Sequence, residues 1–115
     1  MSVFIYHRVT ELKIDTHQLA VSPVNFNEQV SHLKKNYNLV AADEFVNLLQ
    51  TKKKFPKRTA LLTFDDGYAD NYLEALPILE DNNAQAIFYI TTSNLNTDKE
   101  LWWDELERIL LKDVT

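Results

Sequence analysis

Ala60-Leu61-Leu62-Thr63-Phe64-Asp65-Asp66-Gly67 decides the fold, because a short apolar run ends there in two adjacent carboxylates and the only glycine of the chain. Ala60 to Phe64 is short and rich in large apolar and β-branched side chains, which predicts a buried strand. A strand that stops at Asp-Asp-Gly delivers two acids to the rim of a sheet. In α/β proteins that rim is where ligands sit. Consecutive strand residues face opposite sides, so Asp65 and Asp66 could not share a site within a regular strand. Gly67 can take positive φ and let the backbone turn sharply there. The competing reading is a helix cap, since Asp is a good N-cap and Tyr68 to Asn82 has a helical pattern. A cap accounts for one acid, whereas two packed anions repel unless a cation or proton lies between them.

Outward from that stretch, 115 residues allow at most one domain with a core of its own. A composition of 45% hydrophobic and 25% charged residues is that of an ordinary soluble protein. The absence of cysteine excludes a disulfide framework and a thiolate zinc site. Net charge is −5, and the basic clusters Lys34-Lys35 and Lys52-Lys53-Lys54 are short; with Lys57 and Arg58 they read as solvated connections. No nucleic-acid partner is expected. Val3-Phe4-Ile5-Tyr6 follows Met1 without a basic leader or a long apolar stretch, so it reads as a first strand and not as a signal peptide or membrane segment. The expected location is cytoplasmic by default.

Strand and helix patterns alternate along the chain. Val3 to His7 is a strand candidate. Phe26, Val30, Leu33 and Tyr37 fall on one face of a helix from about Asn25 to Tyr37, with Pro23 near its start. Asn38 to Ala41 is a weak strand, and Asp43 is expected to cap a helix carrying Phe45, Val46, Leu48 and Leu49. After Gly67, Leu73, Leu76 and Leu79 point inward from a helix in which Pro77 marks a kink or break. Ala86 to Thr91 is another strand, and Leu101 to Leu111 a final amphipathic helix. Repeated βα units predict an α/β fold with parallel strands and a site at the strands' C-terminal ends.

Thr63-Phe64-Asp65-Asp66-Gly67-Tyr68 resembles the first motif of the polysaccharide deacetylase family, the NodB-type carbohydrate esterases. The resemblance extends to Tyr6-His7-Arg8-Val9, Val21-Ser22-Pro23 and Ala75-Leu76-Pro77-Ile78-Leu79. It continues through Ala86-Ile87-Phe88-Tyr89-Ile90-Thr91-Thr92 and Trp102-Trp103-Asp104-Glu105-Leu106, in the expected order. It implies a partial (β/α) barrel, with residues 1–115 as the N-terminal part of a single domain that takes roughly 200 to 250 residues in full. The implied activity is metal-dependent hydrolysis of N-acetyl, sometimes O-acetyl, groups on a carbohydrate. In that reading Asp65 is the general base and Asp66 a ligand to a divalent metal, zinc in an intact domain. The metal would lower the pKa of its bound water while the base takes the proton.

The chain departs from the family pattern, since the His-x-x-x-His metal motif, the later arginine motif and the final histidine that serves as general acid have no counterpart in it. Its histidines are His7, His17 and His32, and no pair has the His-x-x-x-His spacing that supplies the other metal ligands. One carboxylate is fewer than the three protein ligands of a catalytic zinc, so metal is expected to bind this chain weakly or not at all. His7, at the end of the first strand, could reach the rim or simply bond to backbone there. Trp102 and Trp103 could stack on sugar rings, although their place at the start of an amphipathic helix favours core or interface packing. Tyr68 could line a groove or pack on the helix. Two other functions share these residues: a non-catalytic carbohydrate- or partner-binding remnant of the same fold, and a magnesium-dependent phosphoryl-transfer module. Dehalogenase-type sites want Asp-x-Asp and receiver-type sites an earlier acid pair, so the second fits less well. An open half-barrel would also leave apolar surface on Ala60–Phe64 and Ala86–Thr91. Self-association is therefore expected through the open sheet edge or the Trp102-Trp103 helix.

Overall fold

The computed structural model describes residues 1–112. In chain order its elements are β1 (Ser2–Tyr6), β2 (Arg8–Val9), β3 (Ala20–Val21), α1 (Pro23–Asn36), β4 (Asn38–Leu39), α2 (Ala42–Gln50) and β5 (Thr59–Phe64). There follow a π-helical turn at Asn71–Ala75, α3 (Leu76–Asp81), β6 (Ile87–Phe88) and α4 (Trp102–Leu110). Every strand pair is parallel, as the alternation of strands and helices predicts.

The predicted Ala60–Phe64 strand is the centre of the sheet. All six residues of β5 are buried. One edge pairs along Ala60–Phe64 with β1. The other edge is shared, with β4 beside Thr59–Ala60 and β6 beside Thr63–Phe64. Residues in register across parallel strands point to the same face. Phe4, Tyr6, Leu62, Phe64 and Phe88 therefore form one wall of the core. Phe26, Val30 and Leu33 of α1 and Leu79 of α3 pack against it. The helical spacing read from the sequence thus identifies the buried face of α1. Ser22 is its N-cap, accepting from the Asn25 N–H at 3.2 Å, and Pro23 opens the helix where a missing N–H costs nothing.

Several expectations need correction, among them Leu73, which is predicted to point inward from the helix after Gly67 and is exposed. The helix predicted from Tyr68 to Asn82 is a π-helical turn followed by α3. The Leu76 N–H reaches back five residues to the Asn71 carbonyl, which places Pro77 in the first turn of α3 where it needs no donor. Asp43 does not cap α2: Ala41 is the N-cap, without a side-chain bond, and Asp43 lies in the first turn, where its charge suits the helix dipole. The Ala86–Thr91 strand shortens to β6, although the Tyr89 N–H still donates to the Phe64 carbonyl at 2.8 Å. Finally, β5 is not left uncovered. The exposed apolar strand residues are Val3 and Ile5 of β1, on the face away from α1. The sheet is nonetheless open. A radius of gyration of 16.3 Å exceeds the roughly 13 Å of a closed domain this long.

Candidate active site

The strand ends at Phe64, whose ring stacks on Tyr6 at 5.4 Å and on Phe88 at 4.9 Å and meets Phe26 edge-on at 5.6 Å. This aromatic layer fixes the level at which the acids leave the sheet. The Asp65 N–H donates to the Tyr6 carbonyl at 2.9 Å and so extends the β1–β5 ladder by one residue. Asp66 then turns away at φ +74 and Gly67 continues at φ +70. Asp tolerates left-handed backbone better than most residues, and glycine does so at no cost. Gly67 is also needed for space, because a Cβ there would lie 3.1 Å from Ile90 Cγ2 and 3.3 Å from Ile90 Cα. The predicted turn is therefore present.

Asp66 lines a cleft of about 550 Å³ whose wall also includes Arg8, Tyr68, Thr91, Asp104 and Arg108. Asp65 is half-buried and does not belong to that wall. Tyr6 pairs with Phe64, so His7 and Asp65 are the residues that follow the last register pair of β1 and β5.

Sequence reasoning left unassigned the network that builds the cleft wall. Asp70 is buried; its Oδ2 accepts from Arg8 Nε at 3.0 Å and its Oδ1 from the Val9 N–H at 2.9 Å. The Arg8 guanidinium lies 4.3 Å from the centre of the Tyr68 ring. The Tyr68 hydroxyl donates to Asp104 Oδ2 at 2.9 Å and accepts from Trp103 Nε1 at 2.8 Å. Burial, chiefly, pushes the Tyr68 phenol up to about 12. Its bond to Asp104 and that carboxylate's charge add to the rise, while Trp103 and Arg8 oppose it. Trp103 is thus a half-buried link to the acid loop, whereas Trp102 is 70% exposed and does not pack in the core. The Arg8–Tyr68 and Trp103–Tyr68 pairs have no periodic signature. A hint lay only in Tyr68 and Asp70 following the glycine so closely.

The other histidines lie elsewhere. His17 approaches Glu107 at 3.9 Å, and His32 sits on the exposed side of α1 beside Asn36. Among the described residues no three His, Asp or Glu side chains gather closely enough to hold a metal ion. Asp66 alone does not fit a catalytic zinc, which normally has three protein ligands. Among the described residues no helix is long and apolar enough to cross a membrane.

Residues 52–114 match the sequence model of the polysaccharide deacetylase family. The chain is 24% identical over 110 residues to YxkH of Bacillus subtilis (strain 168), covering 95% of this chain and 38% of that one. It is 30% identical over 105 residues to the poly-β-1,6-N-acetyl-D-glucosamine N-deacetylase of Escherichia coli (strain K12), covering 88% of this chain and 16% of the relative. Its fold matches that of the Streptococcus pyogenes deacetylase PplD, solved in complex with acetate. That match has a TM-score of 0.71 at 22% identity and covers 96% of this chain and 51% of PplD. The chain therefore spans about half or less of the length of these proteins.

Proposed function

This chain belongs to the polysaccharide deacetylase family, and on that premise we propose that residues 1–115 are the N-terminal part of one deacetylase domain that removes acetyl groups from an amino-sugar polymer or oligosaccharide. The observation that carries the reading is the end of β5. Two carboxylates leave the central strand over an aromatic layer, with Asp66 in the cleft wall. A poly-N-acetylglucosamine relative favours an N-acetylated carbohydrate as the partner.

In this reaction Asp65 takes a proton from water as the oxygen attacks the acetyl carbonyl. The tetrahedral intermediate then collapses, the C–N bond breaks, and a proton passes to the leaving amine. Asp65 supplies it, returning the proton it took from water. The products are acetate and the amino sugar. Asp66 offers one carboxylate to a divalent ion, and the further donors would have to come from polypeptide beyond the described residues. The shortage favours a second reading in which this chain alone is a non-catalytic carbohydrate-binding piece. Self-association through its uncovered apolar surface belongs with either.

Calorimetry and acetate release test the assignment. The 115-residue chain should bind zinc weakly and release little acetate from N-acetylglucosamine oligomers. In a longer protein that supplies the missing donors, Asp65→Asn should cut turnover by about a hundredfold or more while leaving zinc affinity intact. Asp66→Asn should lower zinc affinity itself. Equal zinc loss in the two variants would overturn the division of roles, and tight zinc binding by the short chain would overturn the donor count.

A further inference from the structure

We propose that Asp104 is a glycan-binding residue, which accepts from a sugar hydroxyl through its free carboxylate oxygen and so orients the carbohydrate in the cleft that Asp66 lines. The inference rests on the carbohydrate partner proposed above and names a group that holds it. Asp104 lies in the first turn of α4 and shares the cleft of about 550 Å³ with Arg8, Asp66 and Tyr68. That volume falls within the roughly 300–1,000 Å³ of small-ligand sites.

One oxygen of Asp104 is anchored and the other is free. Its Oδ2 accepts from the Tyr68 hydroxyl at 2.9 Å, and that hydroxyl is itself fixed by Trp103 Nε1 at 2.8 Å. Oδ1 has no hydrogen-bond partner among the described residues, and it is not sealed from solvent. An ionised carboxylate only accepts, so Oδ1 awaits a donor. Because Tyr68 and Trp103 already hold the side chain, a ligand that reaches Oδ1 does not have to order it first.

Arg8 brings donors to the same ring. Its Nε donates to Asp70 at 3.0 Å and its guanidinium lies 4.3 Å from the centre of the Tyr68 ring. The two terminal nitrogens donate to no group among the described residues. Arg8 pairs with Asp70 and not with Asp104, although both are held against Tyr68. A charged acceptor and a charged donor that share a wall without pairing suit a neutral ligand that can both donate and accept. Neighbouring sugar hydroxyls have that chemistry. An anion would meet Asp104 as a like charge, and a cation would meet Arg8 in the same way. Ile14, Leu95 and Leu101 of the same cleft offer apolar ground to the C–H face of a sugar ring.

Titration of the 115-residue chain with an N-acetylglucosamine pentamer, read by calorimetry, is the test. The wild type is expected to bind it. Asp104→Asn keeps an oxygen for the Tyr68 hydroxyl and turns a donor toward the cleft, so it should raise the dissociation constant about tenfold or more. Exchange protection of the Trp103 indole N–H reports the anchor and should stay at its wild-type level. Glu105→Gln, at the neighbouring acid outside this cleft, should leave the affinity unchanged. Unaltered affinity in Asp104→Asn overturns the assignment and leaves the carbohydrate reading standing. Affinity lost together with the Trp103 protection makes Asp104 a support for Tyr68 alone, which also overturns it. A wild-type chain that binds no pentamer at millimolar concentration overturns both this contact and the carbohydrate reading of the chain.

Discussion

Replacing Gly67 by alanine separates backbone strain from packing at the acid turn. Position 67 has φ +70, and left-handed backbone costs a residue with a Cβ about 1–2 kcal/mol. The restricted unfolded chain of alanine returns about 0.4–1 kcal/mol of this. The new Cβ would also lie 3.1 Å from Ile90 Cγ2 and 3.3 Å from Ile90 Cα. The Cγ2 methyl belongs to an exposed side chain and can rotate away. The Cα belongs to the loop after β6 and can yield only if that loop shifts, which places the steric part at about 1–2 kcal/mol. Gly67→Ala should therefore lose about 2–3 kcal/mol, a large share of the 5–15 kcal/mol typical of a domain. Urea unfolding followed by circular dichroism would read it. On an Ile90→Ala background, where Cγ2 is gone, the loss should shrink by about 0.5–1 kcal/mol. A loss below about 0.5 kcal/mol, or an unchanged loss on the Ile90→Ala background, would refute the close approach of the two segments.

Four further outcomes are expected. Tyr68→Phe retains the ring beneath Arg8 but loses the bonds to Trp103 and Asp104; it should cost about 1–2 kcal/mol and shift Trp103 fluorescence to the red. The Tyr68 phenol titrates at about 12 in the fold against an ordinary 10.0, so its protonated form is the one that folding favours. That contribution is complete below pH 10 and fades toward 12, so the stability gap between wild type and Tyr68→Phe should narrow over that range. Asp70→Ala strands the Val9 N–H and Arg8 and should lose about 2–4 kcal/mol in thermal or urea unfolding. Phe64→Ala removes the central ring of the aromatic layer and should lose about 3–5 kcal/mol, leaving soluble protein scarce.

What the sequence disclosed was local. The spacing of Phe26, Val30 and Leu33 marked the buried side of α1, and the unbroken apolar run marked β5 as the central strand. Gly67 was legible because one glycine after two acids has few uses other than a turn. Features that depend on distant partners were not legible. Arg8 meets Asp70 across 62 positions and Tyr68 meets Asp104 across 36, and no periodicity connects them. The short β2–β3 ladder was missed because two residues per strand are too few for a pattern. Asp43 misled because a good capping residue is equally at home in the first turn. Asp65 and Asp66 were correctly placed at the strand end, while the departure of Asp66 into the cleft without Asp65 follows from its own positive φ.

The pairing of β1 with β5 sets a timetable for synthesis. Tyr6 meets Phe64, 58 positions later, and the same offset holds at each register pair of the two strands. The first strand leaves the ribosome before its partner, which is translated about 3–12 seconds afterwards at ordinary elongation rates of 5–20 residues per second. Throughout that interval Val3, Phe4 and Ile5 form a sticky nascent segment with no native contact to make in the sheet. Closing so long a loop is also entropically slow, because non-local parallel pairing is reached late in folding. The residues that align the acids thus cannot come together until β5 is made, and holdase chaperones have the most to protect before Phe64 is made.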